Sequence, residues 1–188
     1  MQITGGFLKG LKLYSPPSKS FEIRPLRSRI RKALFDILGQ ELYGYKVLDL
    51  FAGTGALGIE ALSRGAEYVV FVDLSSESLK IIQKNLEKTG LVGKAQILKL
   101  KLPDSLKKLT NLWKRFFNLV FITPPYSSSL EKSLSLKTLR DFPEELLSEK
   151  AILVVEEKTG LELPEKIEVF ILFKKKSYGE TCLWFYKI

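Results

Sequence analysis

The segment from Val47 to Asp73 constrains this chain more than any other. Val47, Leu48, Asp49 and Leu50 read as a short strand, and Gly53 to Gly58 as a tight glycine turn that opens a helix running to about Arg64. Tyr68 to Val72 is a continuous apolar strand, and Asp73 stands at its end, 20 residues beyond Gly53. A strand feeding a glycine turn, a helix, a second strand and an acid is the opening unit of a parallel sheet that binds an adenosine-type ligand at its strand ends. The rest of the chain continues that rhythm. Strands are expected at Gln96–Leu100, Asn118–Thr123, Ala151–Glu156, Glu168–Lys174 and Leu183–Tyr186. Helices are expected from Ser75 or Ser76 to Leu86, over Leu106–Trp113, and over most of 130–148 with a break near Pro143. Strands alternating with helices argue an α/β fold with a mainly parallel sheet covered on both faces.

Ahead of this core the grammar differs. Residues 1–20 read as a hairpin or extended arm, with Gly5, Gly6 and Gly10 as turn candidates and Pro16 and Pro17 closing it. Arg24 precedes a proline and should be extended. Ile30, Leu34, Ile37 and Leu38 recur at helical spacing, which predicts a helix from about Arg27 to Leu38 whose opposite face carries Arg27, Arg31 and, less squarely, Lys32. Residues 1–45 are therefore read as a small hairpin and helix appendage joined to a core over 46–188.

Charge is uneven between the two. Residues 1–40 hold Lys9, Lys12, Lys19, Arg24, Arg27, Arg29, Arg31 and Lys32 against only Glu22 and Asp36, and so carry most of a formal net charge of +9. Such a concentration points to a polyanion, although a solvated basic face would have the same composition. The chain has no histidine and a single cysteine, Cys182, in an apolar run that predicts a buried thiol. Histidine acid–base chemistry and the usual zinc sites are thereby excluded. Lysines and glycines interrupt the first residues before an apolar core forms, and no apolar run is long enough to span a bilayer. The expected location is the cytoplasm.

The chemistry of the turn narrows the ligand. Gly53 can accept an unusual backbone angle, Gly55 lets a ligand approach the main chain, and Gly58 permits close helix packing. Asp49 stands just before the turn, where a carboxylate would repel a pyrophosphate but could orient a cationic amino group; this favours S-adenosylmethionine over a dinucleotide. Asp73 could accept hydrogen bonds from both ribose hydroxyls. Asp49 could instead cap the nearby backbone, Asp73 the following helix, and Phe51 could be packing or ligand contact. With Ala52, Thr54 and Leu74 these residues form the candidate cofactor set.

A second signal lies at the end of the fourth strand, where Thr123, Pro124, Pro125 and Tyr126 follow one another. Two prolines fix a rigid turn at the edge where open sheets hold their active sites. The Pro124 carbonyl can accept a bond from a substrate amine, and Tyr126 can stack on a planar base. The same four residues could be a strand terminator followed by a packed aromatic.

Taken together, these features resemble the bacterial small-subunit ribosomal RNA guanine-N2 methyltransferase family. The resemblance starts at Ile3, Thr4, Gly5, Gly6, Lys9 and Gly10, which are similar to that family's opening hairpin, and continues through Arg24, Pro25 and the basic helix from Arg29 to Phe35. It is closest over Val47 to Ala66, and Ser177 to Thr181 resembles the family's C-terminal motif. The resemblance implies a Rossmann-like class I methyltransferase fold, a seven-stranded mainly parallel sheet whose last strand is antiparallel. It also implies S-adenosylmethionine as donor, S-adenosylhomocysteine as product, and transfer to the N2 amine of a guanine in 16S rRNA. Asp49 and Gly53 would lie beside the methionine part of the cofactor, Asp73 would hold the ribose, and the loop of Thr123, Pro124, Pro125 and Tyr126 would receive the guanine. Lys9, Lys12, Arg24, Arg27, Arg29, Arg31 and Lys32 are the candidate RNA phosphate contacts. The expected partner is 16S rRNA within a 30S particle or assembly intermediate, without metal or membrane, and the expected state is a monomer.

Two positions depart from the family pattern. Its signature begins with Asp or Asn, where this chain has Thr123; threonine offers one hydroxyl, a shorter reach and no charge. Either transfer proceeds with Thr123, or another acceptor substitutes, or the protein binds RNA without methylating it. Lys101 falls where the family often has Asp or Asn near the adenine, with Asp104 close by in sequence. Competing readings are a non-enzymatic RNA-binding or assembly protein, a methyltransferase for DNA or protein amines, and, last, a dinucleotide oxidoreductase.

Overall fold

A computed structural model describes residues 1–15 and 26–188 and resolves the chain into two compact units, Met1–Lys99 and Leu100–Ile188. Arg24 and the expectation for it lie outside the described residues.

The first unit begins with a hairpin-like arm. Gln2 bridges Lys12 in antiparallel sense, Ile3 N–H donates to Leu11 O at 3.0 Å, and Ile3 and Leu13 are buried. Helix α1 (Ser28–Leu38) follows, then β1 (Lys46–Leu50), α2 (Ala56–Ser63), β2 (Tyr68–Asp73), α3 (Ser76–Thr89) and β3 (Ala95–Lys99). The three strands run parallel in the order β3-β2-β1, with Leu50 opposite Val72 and Asp73 opposite Lys99. Val47–Leu50 and Val69–Val72 are buried throughout, as expected for strands covered on both faces. Ser75 caps α3 by accepting from Ser78 N–H at 3.3 Å, Glu77 sits in its first turn, and Gly90 closes it in the left-handed conformation.

The arm is packed on α2. Phe7 N–H donates to Ser63 O at 2.8 Å, and the Ser63 hydroxyl donates to Gly5 O at 2.7 Å. A Cβ on Gly6 would fall 1.8 Å from Ser63 O, so that position requires glycine for close approach.

The second unit contains β4 (Phe117–Ile122), α4 (Leu134–Arg140), β5 (Leu147–Lys158), β6 (Lys166–Ile167), β7 (Phe170–Tyr178) and β8 (Thr181–Lys187), with its strands in the order β4-β5-β8-β7-β6. β4 and β5 are parallel; β8 is antiparallel to both β5 and β7, as the resemblance implied for the last strand. Among the described residues the named strands number eight rather than seven, because Lys166 and Ile167 pair with Ile171 and Phe170 as an additional two-residue strand. The stretch from 130 to 148 is less helical than its apolar spacing predicts. Seven-residue α4 is flanked by single 3-10 turns at Leu130–Lys132 and Glu144–Leu146, and β5 already begins at Leu147. Pro143 stops the helix, and pairing of Leu147 with Phe117 draws the polar residues behind it into the sheet. The segment Leu106–Asn111 is likewise 3-10. Cys182 is buried on β8. Among the described residues, no helix is long and apolar enough to cross a membrane, and no cluster of His, Cys, Asp or Glu could hold a metal.

Candidate cofactor and acceptor sites

In the first unit the strand ends and the glycine turn form a cradle of main chain. Phe51, Gly53 and Gly55 all have positive φ, at 58°, 55° and 76°. For Phe51 that conformation costs about 1–3 kcal/mol and persists only where the surroundings enforce it. Here Ala52 N–H is fixed to Val72 O at 3.1 Å, and Gly55 N–H returns to Ala52 O at 2.8 Å. Gly55 then caps α2. Gly58 lies one turn on, where a Cβ would fall 2.3 Å from the Phe71 ring; only glycine lets α2 sit this close to β2.

Asp73 holds the cradle together. Its Oδ2 accepts from Gly53 N–H and its Oδ1 from Ser75 N–H, both at 2.8 Å. Each oxygen has a second lone pair, so backbone capping and ribose recognition are compatible in one side chain. Leu74, 56% exposed, adds an apolar surface beside it.

Asp49 is buried. Its Oδ2 accepts from Gly58 N–H at 3.0 Å, while Oδ1 is buried with no hydrogen-bond partner. Burial pushes its carboxyl up to about 8; the Gly58 N–H opposes this rise, and the charge of Asp73 adds to it. An orphaned acidic oxygen beside a glycine cradle fits a ligand that carries a cationic group, as S-adenosylmethionine does.

Thr54 is also buried, and its hydroxyl is directed at Met1 Sδ, 3.7 Å away. Its carbonyl accepts from the amide of Asn85 on α3 at 3.0 Å. Asn85 also donates to Tyr14 O at 3.1 Å and accepts from Tyr14 N–H at 2.7 Å. One buried amide thus joins the glycine turn to the N-terminal arm. A polar residue on the apolar stripe of α3, between Ile82 and Leu86, was the sequence signal for it.

Of the candidate phosphate contacts, Lys9, Lys12, Arg27, Arg29 and Lys32 are exposed, with Lys32 paired to Asp36 at 3.2 Å. Arg31, expected among the surface cations, is buried. It is 1% exposed, its Nε donates to Glu60 Oε2 at 2.6 Å, and Nη1 donates to Leu26 O at 3.1 Å. Its place on α1 lies between buried Ile30 and Leu34, so it turns inward to a carboxylate instead of outward to solvent.

In the second unit Thr123 follows β4 and is half-buried; Pro124 is buried, Pro125 exposed and Tyr126 half-buried. The Tyr126 hydroxyl donates to Glu156 Oε1 on β5 at 2.7 Å and lies 2.6 Å from the Thr181 hydroxyl on β8. Ser133 caps α4 and donates to buried Glu157 at 2.6 Å, and Ser135 donates to Glu156 O at 2.9 Å. The loop from Thr123 to Ser135 is therefore tied to the end of β5. The aromatic ring is held at its far end by its hydroxyl. Glu156 was not legible in the sequence, since it lies in an ordinary strand and gains meaning only by pairing. Lys101 is exposed and 3.4 Å from Asp104, which also takes Lys137 at 2.7 Å. Those two ammonium groups, Lys137 first, hold the Asp104 carboxyl below its ordinary value.

Residues 1–187 match the family model described as "Conserved hypothetical protein 95". Over its full length the chain is 34% identical to "Putative rRNA methyltransferase YlbH" of Bacillus subtilis, covering 98% of that protein. It is 30% identical to ribosomal RNA small subunit methyltransferase D of Escherichia coli, covering 100% of this chain and 89% of the relative. A solved hypothetical protein of Thermus thermophilus superposes with a TM-score of 0.78 at 32% identity, over 98% of both chains. The fold is the Rossmann-like α/β fold of methyltransferases, and the chain belongs to the conserved hypothetical protein 95 family, alongside the small-subunit ribosomal RNA methyltransferases D.

Proposed function

We propose that this protein transfers a methyl group from S-adenosylmethionine to the exocyclic N2 amine of a guanine in small-subunit ribosomal RNA, acting on a 30S particle or assembly intermediate. The observation that carries this reading is the anchored loop of Thr123, Pro124, Pro125 and Tyr126, in a chain that also carries the Asp49–Asp73 cradle. The names of its full-length relatives support ribosomal RNA as the substrate, and that of the Escherichia coli relative the small-subunit RNA.

When bound, S-adenosylmethionine supplies a methyl group made electrophilic by a cationic sulfur. The chain's own residues do the rest. Asp73 accepts from the ribose hydroxyls while it fixes Gly53. Asp49 faces the cationic amino group. Tyr126 stacks on the target base, an interaction worth about 1–3 kcal/mol and tolerant of sequence. The Pro124 carbonyl accepts one N–H of the amine and so orients the nitrogen lone pair. The amine nitrogen that takes the methyl group would give up one proton, to water. Lys9, Lys12, Arg27, Arg29 and Lys32, with Arg24, bind phosphates and fix register without touching the chemistry.

The test is methyl transfer from labelled S-adenosylmethionine to small-subunit particles lacking base methylation, with the product mapped. Label at guanine N2 is the expected result. Thr123 favours one other reading, an RNA-binding protein without transfer. Tight binding of cofactor and particle with no label would establish that reading instead.

A further inference from the structure

We propose that Glu156 is the residue that reads the target guanine, and that it takes the part a carboxylate or amide at position 123 would otherwise play. The proposal rests on the guanine reading above and deepens it. β4 and β5 are paired in parallel register, with Val120 opposite Leu153, Phe121 opposite Val154 and Ile122 opposite Val155. Continuing that register by one residue sets Thr123 beside Glu156, the first pair beyond the strand. The acidic group missing from β4 is therefore present on the neighbouring strand at the same level. Two hydrogen bonds help to place it, one on its carboxylate and one on its backbone. Oε1 accepts from the Tyr126 hydroxyl at 2.7 Å, and its backbone carbonyl accepts from Ser135 at 2.9 Å. The carboxylate thus lies at the end of the aromatic ring on which the base would stack.

The chemistry selects one base. A carboxylate only accepts hydrogen bonds, and it offers about four lone-pair sites, so holding a tyrosine and reading a base are compatible. The Watson–Crick edge of guanine presents two adjacent donors, N1–H and the N2 amine. Adenine and cytosine each present an amine beside an unprotonated ring nitrogen, which a carboxylate repels. A carboxylate in this place therefore favours guanine, orients the N2 amine through one N–H, and rejects adenine, which a Pro-Pro-Tyr loop alone would also accept. Sites built on hydrogen bonds reject a base that leaves them unpaired far more strongly than apolar sites do.

The test uses the full-length protein with unmethylated small-subunit particles. Glu156→Gln keeps an acceptor for Tyr126 but puts an amide where guanine N1–H must go. Tyr126→Phe keeps the ring and removes the bond to Glu156. Glu156→Gln combined with Thr123→Asp returns a carboxylate to the neighbouring strand. Thermal midpoint and S-adenosylhomocysteine affinity establish that each variant is folded. We expect Glu156→Gln to lower kcat/KM at least a hundredfold and Tyr126→Phe less than tenfold, with Thr123→Asp recovering tenfold or more of the loss in the double variant. Equal losses in Glu156→Gln and Tyr126→Phe, with no recovery, would overturn the proposal and leave Glu156 as a support for the tyrosine. Wild-type label on a base other than guanine would overturn the functional reading itself, and this proposal with it.

Discussion

Arg31 and Glu60 form an ion pair inside the first unit, with Arg31 Nε 2.6 Å from Glu60 Oε2 and side chains 1% and 0% exposed. The pair is the centre of a larger cluster. Arg64 donates to Glu60 Oε1 at 2.9 Å and to Gln40 Oε1 at 2.7 Å, the Thr4 hydroxyl donates to Glu60, and Arg31 donates to the Gln2 carbonyl. One carboxylate on α2 thereby gathers the arm, α1 and the end of its own helix. The N-terminal arm and α1 are thus pinned to α2 by buried charged and polar groups, among them an arginine that the sequence places at the surface.

Removing one member of a buried pair leaves an uncompensated charge, which costs about 3–5 kcal/mol. Glu60→Gln strands two guanidinium groups at once. We expect its thermal midpoint to fall on the order of 10 °C for a chain of this size. Arg31→Ala should fall comparably. A change of only a degree or two in either variant would mean that the cluster relaxes into solvent and does not hold the arm.

Asp49 should make both stability and cofactor binding depend on pH. Unfolded, its carboxyl loses its proton near the ordinary value of 3.8; folded, burial holds the proton up to about 8. Between those values the native state binds more protons than the unfolded one, so this group's contribution to stability declines as pH rises through the window. A cation placed at Oδ1 favours the ionised form. Binding should then release a proton, and affinity for S-adenosylhomocysteine should rise with pH up to about 8, by at most tenfold per pH unit. Asp49→Asn should flatten both trends. Calorimetric titrations at pH 6.5, 7.5 and 8.5 in buffers of different ionisation enthalpy measure the affinity and the proton together. A pH-independent affinity in the wild type would sink the assignment.

Much of this site could be read before any coordinates. Asp49, the glycine turn and Asp73 announce themselves because their spacing serves local backbone geometry, which sequence records directly. The loop from Thr123 to Tyr126 is visible for the same reason. What could not be read depends on partners distant in the chain. Arg31 stands on the buried side of α1 with Leu34 and Phe35, but the carboxylate that makes an arginine tolerable there, Glu60, is 29 residues away. Asn85 has one partner 31 residues and another 71 residues away. Glu156 acquires its place from strand pairing, and β5 begins before its apolar run because Phe117 pairs with Leu147. Periodicity can mark Asn85 as a polar residue on an apolar stripe, but it carries no trace of the partners that give these residues their places.

The exposed cations should act on RNA alone. Lys9, Lys12, Arg27 and Arg29 are all at the surface of the first unit. Replacing all four by alanine should weaken particle binding and reduce the slope of log affinity against log salt by about one for each phosphate that is no longer neutralised. Affinity for S-adenosylhomocysteine should not change. An unchanged salt slope in the quadruple variant would move the RNA surface elsewhere on the molecule.

Asn85 offers a test of how the cofactor turn is held. It is 0% exposed, and its amide satisfies Thr54 O, Tyr14 O and Tyr14 N–H together. Asn85→Ala leaves those main-chain groups without it, at about 1–3 kcal/mol for each one that stays buried and unsatisfied. Asn85→Asp is nearly identical in shape and keeps the acceptor for Tyr14 N–H, but it loses both donors and turns a carboxylate toward two carbonyl oxygens. If packing were the role of Asn85, the aspartate would behave as wild type. If hydrogen bonding is its role, the aspartate should be at least as harmful as the alanine, with a lower thermal midpoint and S-adenosylhomocysteine affinity reduced on the order of tenfold. The affinity should fall because the Thr54 carbonyl sits inside the Gly53–Gly55 turn, so freeing it loosens the backbone that Asp73 clamps from the other side. An Asn85→Asp protein that is destabilised yet binds S-adenosylhomocysteine normally would show that the amide serves the arm and not the turn.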